Sequence, residues 1–146
     1  MRRNKRNNRT ECGKEWGKNM DMSPEVFAMR RKVMEYLYEA KALLRANGIE
    51  MPRVEVRIAK STKFAGLGRL GGNIIWIEPS TLKYSELKIR HIVFHEIVHA
   101  VTGFMHDDDC PLMHPKFPHK IESMKEMNEA FLKYFQDEKK AVLIPA

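Results

Sequence analysis

The five residues His95-Glu96-Ile97-Val98-His99 constrain this chain more than any other stretch. On an α-helix, side chains four positions apart lie on the same face, so two imidazoles can bind one metal ion. Glu96 lies about 100° around the helix, where its carboxylate can accept a proton from water without being a ligand. The pattern therefore predicts a helix that carries a catalytic divalent metal, with zinc as the expected ion.

The residues that flank this motif predict a helix with two different faces. On a helical wheel, His91, His99 and Thr102 fall beside His95. Apolar side chains fall on the opposite side, namely Val93, Phe94, Ile97 and Val101. The helix should therefore pack into a core on one face and present histidines on the other.

Hydrophobic periodicity predicts the elements that precede this helix. A first helix is expected from a cap at Ser23 to Asn47-Gly48, with one apolar stripe. Two strands are expected over residues 54–58 and 73–78. The glycine-rich residues 60–72 between them suit a hairpin turn.

The motif-bearing helix should begin at Ser85-Glu86 and run to Thr102, where Gly103 ends it. A last helix is expected from about Pro118. Its apolar stripe would consist of Ile121, Met124, Asn128, Phe131, Leu132 and Phe135. The chain then divides into a tail over residues 1–22, one α+β domain over residues 23–140, and a short tail over residues 141–146.

The N-terminal tail is strongly basic. Of the 146 residues, 26 are Lys or Arg and 19 are Asp or Glu, which gives a net charge of +7. Nothing apolar repeats in the tail, so it is predicted to be flexible. It is either a solvated terminus or an arm that binds the phosphates of DNA or RNA, with Arg2, Arg3, Lys5, Arg6 and Arg9 as the binding residues.

Cysteine usage and hydropathy indicate the compartment. Cys12 and Cys110 stand far apart and form no Cys-x-x-Cys pair, which suits a reducing environment. No apolar run has the length of a membrane span, and no signal peptide follows the basic N-terminus. These features predict a cytoplasmic protein with no membrane partner.

A catalytic zinc ion normally has three protein ligands, so one more is expected after Gly103. His114 is the first choice, and His106 is the alternative. A glutamate of the last helix, Glu122 or Glu126, is a further candidate.

Other groups in this segment are less favoured as metal ligands. Cys110 would add a second negative charge and leave the neighbouring histidines without a role. The aspartates Asp107, Asp108 and Asp109 are expected to orient an imidazole rather than to bind the metal.

The stretch Val54–His114 resembles the SprT-like metallopeptidases, the family that includes the Spartan protease acting on DNA–protein crosslinks. The matching pieces are Ala65-Gly66, Asn73-Ile74-Ile75-Trp76-Ile77-Glu78-Pro79-Ser80 and Ile92-Val93-Phe94-His95-Glu96-Ile97-Val98-His99-Ala100. The resemblance implies a small zincin-like domain in which a strand leads into the active-site helix. It also implies a third histidine ligand in the following loop, which corresponds to His114.

A weaker resemblance connects the same loop to the metzincins. Gly103-Phe104-Met105-His106 and Leu112-Met113-His114-Pro115 are similar to a glycine turn with a third histidine and a later Met-turn. This resemblance implies His106 as the third ligand, although His106 stands one residue later than the metzincin spacing.

Together these features predict a zinc metallopeptidase in which Glu96 acts as the general base. The strand Ile74–Glu78, if it lies at the rim of the cleft, can pair with an extended substrate. The expected substrate is a peptide or protein, with nucleic-acid-associated proteins as one possibility.

Two other functions compete with this prediction. His95, His99, His106 and Asp107 are similar to the motif of the YbeY-like endoribonucleases, although Glu96 replaces a glycine of that motif. The second alternative is a nucleic-acid-binding module with a structural zinc ion. That site would need a fourth protein ligand, and it would leave Glu96 without a role.

Overall fold

A computed structural model of the chain describes residues 23–60, 65–115, 121 and 123–143, with side chains as far as Gln136. This part of the chain forms a small α+β domain with three α-helices and a three-stranded mixed sheet. The predicted α+β class is thereby confirmed. The tail over residues 1–22 lies outside the described residues, with its basic residues Arg2, Arg3, Lys5, Arg6 and Arg9.

The first helix, α1, spans Pro24–Ala46 and has the predicted ends. The Ser23 hydroxyl accepts a hydrogen bond from the Val26 N–H at 3.2 Å, which satisfies one of the unpaired donors of the first turn. Asn47 ends the helix. One face is buried and supplies a large part of the core: Val26, Met29, Val33, Tyr36, Leu37, Ala40 and Leu44.

The sheet consists of β1 (Glu55–Ile58), β2 (Gly66–Gly68) and β3 (Ile74–Ile77), in the order β1-β3-β2. β1 runs parallel to β3, and β2 runs antiparallel to it. The strand Ile74–Glu78 does not meet the condition of lying at a sheet edge, because β3 is paired on both sides. The edge strands of the described sheet are β1 and β2.

The glycine-rich connection contributes β2 as well as a hairpin turn. At this turn Gly71 and Asn73 have positive φ angles of 67° and 58°. The Gly71 N–H donates to the His99 carbonyl at 3.0 Å, and the Asn73 N–H donates to the Ala100 carbonyl at 2.9 Å. The hairpin turn therefore donates hydrogen bonds to two carbonyl groups at the end of the motif-bearing helix, and the His99 carbonyl also accepts from the Gly103 N–H at 3.1 Å.

The motif-bearing helix, α2, spans Glu86–Ile97 and begins at the predicted cap, Ser85. Its last turn differs from the prediction, because Val98–Thr102 is π-helical. The Thr102 hydroxyl donates to the Val98 carbonyl at 2.6 Å, and Gly103 ends the turn with φ 80°. The histidine motif thus crosses from regular α-helix into a π-turn, a feature frequent at functional sites.

The last helix, α3, spans Met124–Leu143 and begins later than the predicted Pro118. The Ser123 hydroxyl accepts from the Glu126 N–H at 3.1 Å, which caps the helix at this point. The buried face of α3 also differs from the predicted apolar stripe at its start. Met124 is 49% exposed, and the buried side chains are Met127, Phe131 and Phe135.

The buried guanidinium of Arg90 connects the three helices. It donates to the Glu39 carboxylate of α1 at 2.9 Å and to the Asn128 side-chain oxygen of α3 at 2.8 Å. Its charge lies 4.1 Å from the centre of the Phe94 ring. Arg90 therefore fixes α2 between its neighbours. None of the helices in the described part of the chain combines the length and apolarity of a bilayer span.

Candidate metal centre

Three imidazoles converge at the end of α2. One side-chain nitrogen from each of His95, His99 and His106 lies within 4.8 Å of the other two, so these residues can hold a metal ion. The ring centroids are separated by 4.6 Å for His95 and His99, 4.8 Å for His99 and His106, and 5.2 Å for His95 and His106. His95 and His99 are buried, whereas His106 is exposed on the loop that follows.

Two backbone carbonyls orient the buried pair. His95 Nδ1 lies 2.7 Å from the Leu112 oxygen, and His99 Nδ1 lies 2.7 Å from the Phe104 oxygen. A carbonyl oxygen can only accept, so each Nδ1 carries the proton and each Nε2 presents a lone pair. The two Nε2 atoms lie 3.1 Å apart.

This donor set fits a zinc ion. Two nitrogen ligands of a tetrahedral zinc ion, each at about 2.0–2.1 Å, are about 3.3–3.4 Å apart. The Nε2 separation of 3.1 Å is close to that value.

The neutral ligand form is favoured electrostatically. Burial lowers the pKa of His95 to about 3, against the Leu112 hydrogen bond, which raises it. Burial also lowers the pKa of His99 and of His106. Neutral imidazole is the form that binds a metal, so the folded chain favours the protonation state that a ligand requires.

His91, which the helical wheel groups with His95, lies beside the same backbone carbonyl. Its Nε2 lies 3.3 Å from the Leu112 oxygen, the same atom that accepts from His95. The side chain is 3% exposed and is not a member of the three-histidine group. Its contact is to the carbonyl that orients His95.

The group contains the alternative third ligand of the sequence analysis, His106, and not the first choice, His114. His114 lies nearby on the loop, where its proximity lowers the pKa of His106. Cys110 and Glu126 are described by the structure and are not members of the group either. Glu122 lies outside the described residues.

Glu96 is buried beside the histidines without joining them. Its side chain is among the described carboxylates, yet it is not a member of the group. Burial raises the pKa of Glu96 to about 8, and a hydrogen bond from the Gly68 backbone N–H lowers it. A carboxyl group with a pKa near neutrality is suited to exchange protons during a reaction.

A cavity of about 360 Å³ opens onto these groups. His95, Glu96, His99 and His106 form its polar side. The opposite wall is apolar and comes from β2, the hairpin and the loop: Ala65, Gly66, Leu67, Gly68, Leu70, Met105 and Pro115. The size suits a small molecule or one side chain of a larger substrate.

Sequence reasoning missed the role of Gly66 and Gly68 in bringing β2 against α2. A Cβ at Gly68 would lie 2.3 Å from the Glu96 carbonyl oxygen and 2.9 Å from the His99 Cβ. A Cβ at Gly66 would lie 3.0 Å from the Glu96 Cγ. The signal that could have revealed this role is the spacing of two, which puts both glycines on one face of a strand.

Gly68→Ala should therefore displace β2 from the helix. The contact is with backbone, which cannot move aside, so we expect destabilisation of about 1–3 kcal/mol and weaker metal binding. Gly72→Ala is the control, because a Cβ there meets only the flexible Arg69 side chain. Thermal unfolding and zinc titration of both variants check this, and equal effects of the two substitutions would contradict it.

The chain is thus a small α+β domain with a three-histidine cluster that can hold a metal ion and a buried glutamate beside it. No protein-family profile, curated protein or solved structure matches it.

Proposed function

We propose that this protein is a zinc-dependent metallopeptidase. The observation that carries the proposal is the buried carboxyl of Glu96, which lines the same cavity as His95, His99 and His106. The resemblance of the sequence to the SprT-like metallopeptidases supports the proposal, and the α+β fold is the class that this resemblance implies.

The proposed ligands are the Nε2 atoms of His95 and His99, together with His106. Two distances support this set. The Nε2 atoms of His95 and His99 lie 3.1 Å apart, and one nitrogen of each of the three histidines lies within 4.8 Å of the others. A zinc ion bound there would supply Lewis acidity, which acidifies water and polarises a carbonyl group. In the described part of the chain the group has three members, which leaves a position open for substrate or water.

The proposed role of Glu96 is that of general base and then general acid. Its carboxylate accepts the proton of the attacking water and passes it to the leaving amine. Burial in an apolar surrounding keeps the pKa of this group high, so the proton can be held between the two steps. The Gly68 N–H fixes the orientation of the carboxylate.

The proposed substrate is an extended peptide. The edge strand β2 lines the cavity, and a strand at the edge of a sheet can pair with an added peptide strand. Leu70 and Met105 flank the cavity and are 52% and 70% exposed. Exposed apolar side chains at this place favour substrates with apolar side chains near the scissile bond.

The test uses the full chain loaded with one equivalent of zinc and an unfolded protein such as casein as substrate. We expect cleavage that a chelator abolishes and added zinc restores, with new N-termini before or after apolar residues. Fragment masses identify the cleaved bonds. Absence of cleavage in the zinc-loaded protein, with one bound zinc ion verified, would reject the proposal.

A metal-dependent endoribonuclease is the second candidate, because the observed group has the histidines of the YbeY-like pattern, His95, His99 and His106. The net charge of +7 also suits RNA. Glu96 is evidence against it, because the YbeY-like pattern has a glycine at this position. Structured RNA in the same assay separates the two functions.

Nucleic-acid binding through the basic tail is a separate proposal that rests on its charge. Contacts of Arg2, Arg3, Lys5, Arg6 and Arg9 with phosphates would be indifferent to base sequence and would weaken with salt. In that case the peptidase would act on proteins bound to DNA or RNA.

A further inference from the structure

The loop that follows the histidine helix contacts all three imidazoles of the metal site. The Phe104 carbonyl accepts from His99, and the Leu112 carbonyl accepts from His95. Between these two points the loop carries His106 itself. One irregular segment, residues 104–113, thus controls the orientation of every proposed ligand.

This loop contains no helix or strand that would hold it in place. Hydrogen bonds of Asp107, the residue after His106, join one part of the loop to another. The Asp107 N–H donates to the Met113 carbonyl at 2.9 Å, and the Asp107 carbonyl accepts from the Cys110 N–H at 3.1 Å. These two bonds hold Asp107 against Cys110 and against Met113 at the end of the segment.

The side chain of Asp107 completes the closure. Its Oδ1 accepts from the Asp109 N–H at 2.9 Å, and its Oδ2 accepts from the Tyr134 hydroxyl at 3.2 Å. All the hydrogen-bonding groups of Asp107, in backbone and side chain, are therefore engaged within this region.

Tyr134 connects the closed loop to the rigid part of the domain. It lies on α3, next to the buried Phe135. Its ring packs against the Phe104 ring with centroids 5.4 Å apart. Burial keeps the pKa of Tyr134 above its usual value, so the hydroxyl remains a hydrogen-bond donor. The same tyrosine therefore holds both the carbonyl that orients His99 and the aspartate beside His106.

From this network we propose that Asp107 and Tyr134 are positioning residues that set the geometry of the metal site through the loop 104–113. The inference rests on the proposed function, because it takes His95, His99 and His106 as the ligands. Asp107 and Tyr134 do not bind the metal. They fix the two orienting carbonyls and the third imidazole relative to one another before a metal ion arrives.

The test measures zinc affinity by competition with a chromophoric chelator, and the visible spectrum of the cobalt-loaded full chain. Groups that orient ligands typically change metal affinity by about tenfold to a hundredfold. We expect a loss of this size in Asp107→Ala, with a cobalt spectrum altered in intensity. Tyr134→Phe keeps the ring packing, loses only the hydroxyl, and should give a smaller loss in the same direction.

Two variants separate positioning from simple electrostatic attraction. Asp107→Asn removes the charge, keeps one oxygen that can accept from the Asp109 N–H, and has an amide NH2 that can donate to the Tyr134 oxygen. It should therefore recover part of the affinity that Asp107→Ala loses. Asp109→Asn removes an exposed charge two residues away, and its affinity should stay within about twofold of the unchanged protein. If Asp107→Asn binds zinc as weakly as Asp107→Ala, the hydrogen bonds that the amide retains contribute nothing to the site and the proposal fails.

A double variant supplies the last check. Asp107→Ala combined with Tyr134→Phe should lose less affinity than the sum of the two single losses, because both substitutions remove the hydrogen bond between Asp107 and Tyr134. Fully additive losses would overturn the proposal. Unchanged affinity in Asp107→Ala, with metal binding still dependent on His106, would reject the positioning role and leave the metal site standing. A full chain that binds no zinc at all would reject the proposed function itself.

Discussion

Replacing Glu96 by glutamine should leave one zinc ion bound and reduce peptide cleavage by about a hundredfold or more. Acid–base groups contribute about a hundredfold to ten-thousandfold to such reactions, and glutamine cannot accept the proton. The amide has nearly the same shape as the carboxyl, so the packing against Gly66 and Gly68 is preserved. Zinc content by elemental analysis and initial rates on one peptide measure the two quantities.

Glu129→Gln is the matched control, because Glu129 is an exposed glutamate on α3. It does not line the cavity and is not a member of the three-histidine group. It should keep both zinc and activity. Full peptidase activity in the Glu96→Gln protein would end the peptidase proposal. A loss confined to RNA cleavage would instead favour the endoribonuclease.

Removing the third ligand should abolish both metal binding and activity. We expect His106→Ala to lose most of the bound zinc at micromolar concentrations, because two imidazoles alone form a weak site. His114→Ala should keep its zinc, since His114 is not a member of the three-histidine group. The two histidines lie on the same loop, so each variant is the control for the other.

The opposite result would restore the first choice of the sequence analysis. If zinc were lost from His114→Ala and retained by His106→Ala, the ligand set would be that of the SprT-like resemblance. The loop would then have to rearrange on metal binding, and the positioning role of Asp107 would lose its basis. Metal content and the cobalt spectrum of both variants decide between the two ligand sets.

The local parts of this domain could be predicted from the sequence because short-range physics determines them. Ser23 and Ser85 begin helices by accepting hydrogen bonds from their own first turns. The helix-period stripe of α1 is buried as expected. His95 and His99 share a helix face because their spacing fixes it, whatever the rest of the chain does.

The strand β3 shows that a local sequence pattern can predict a strand without predicting its place in the sheet. Its composition identifies it as a strand, but not its neighbours in the sheet. It lies between β1 and β2, and of these two edge strands the three-residue strand β2 is the one that lines the cavity. Pairing order depends on contacts between distant residues, which periodicity does not contain.

The sequence by itself therefore determined the histidine pair, the glutamate between them, and the helices that carry the core. Only the tertiary structure decided which histidine lies beside this pair as the third member of the group, and which backbone atoms orient His95 and His99. His106 and His114 have the same chemistry, and the choice depends on how the loop 104–113 closes. That closure uses backbone carbonyls of Phe104 and Leu112 and the contact of Asp107 with Tyr134. Backbone carbonyls are common to every residue, so no sequence pattern can reveal their role.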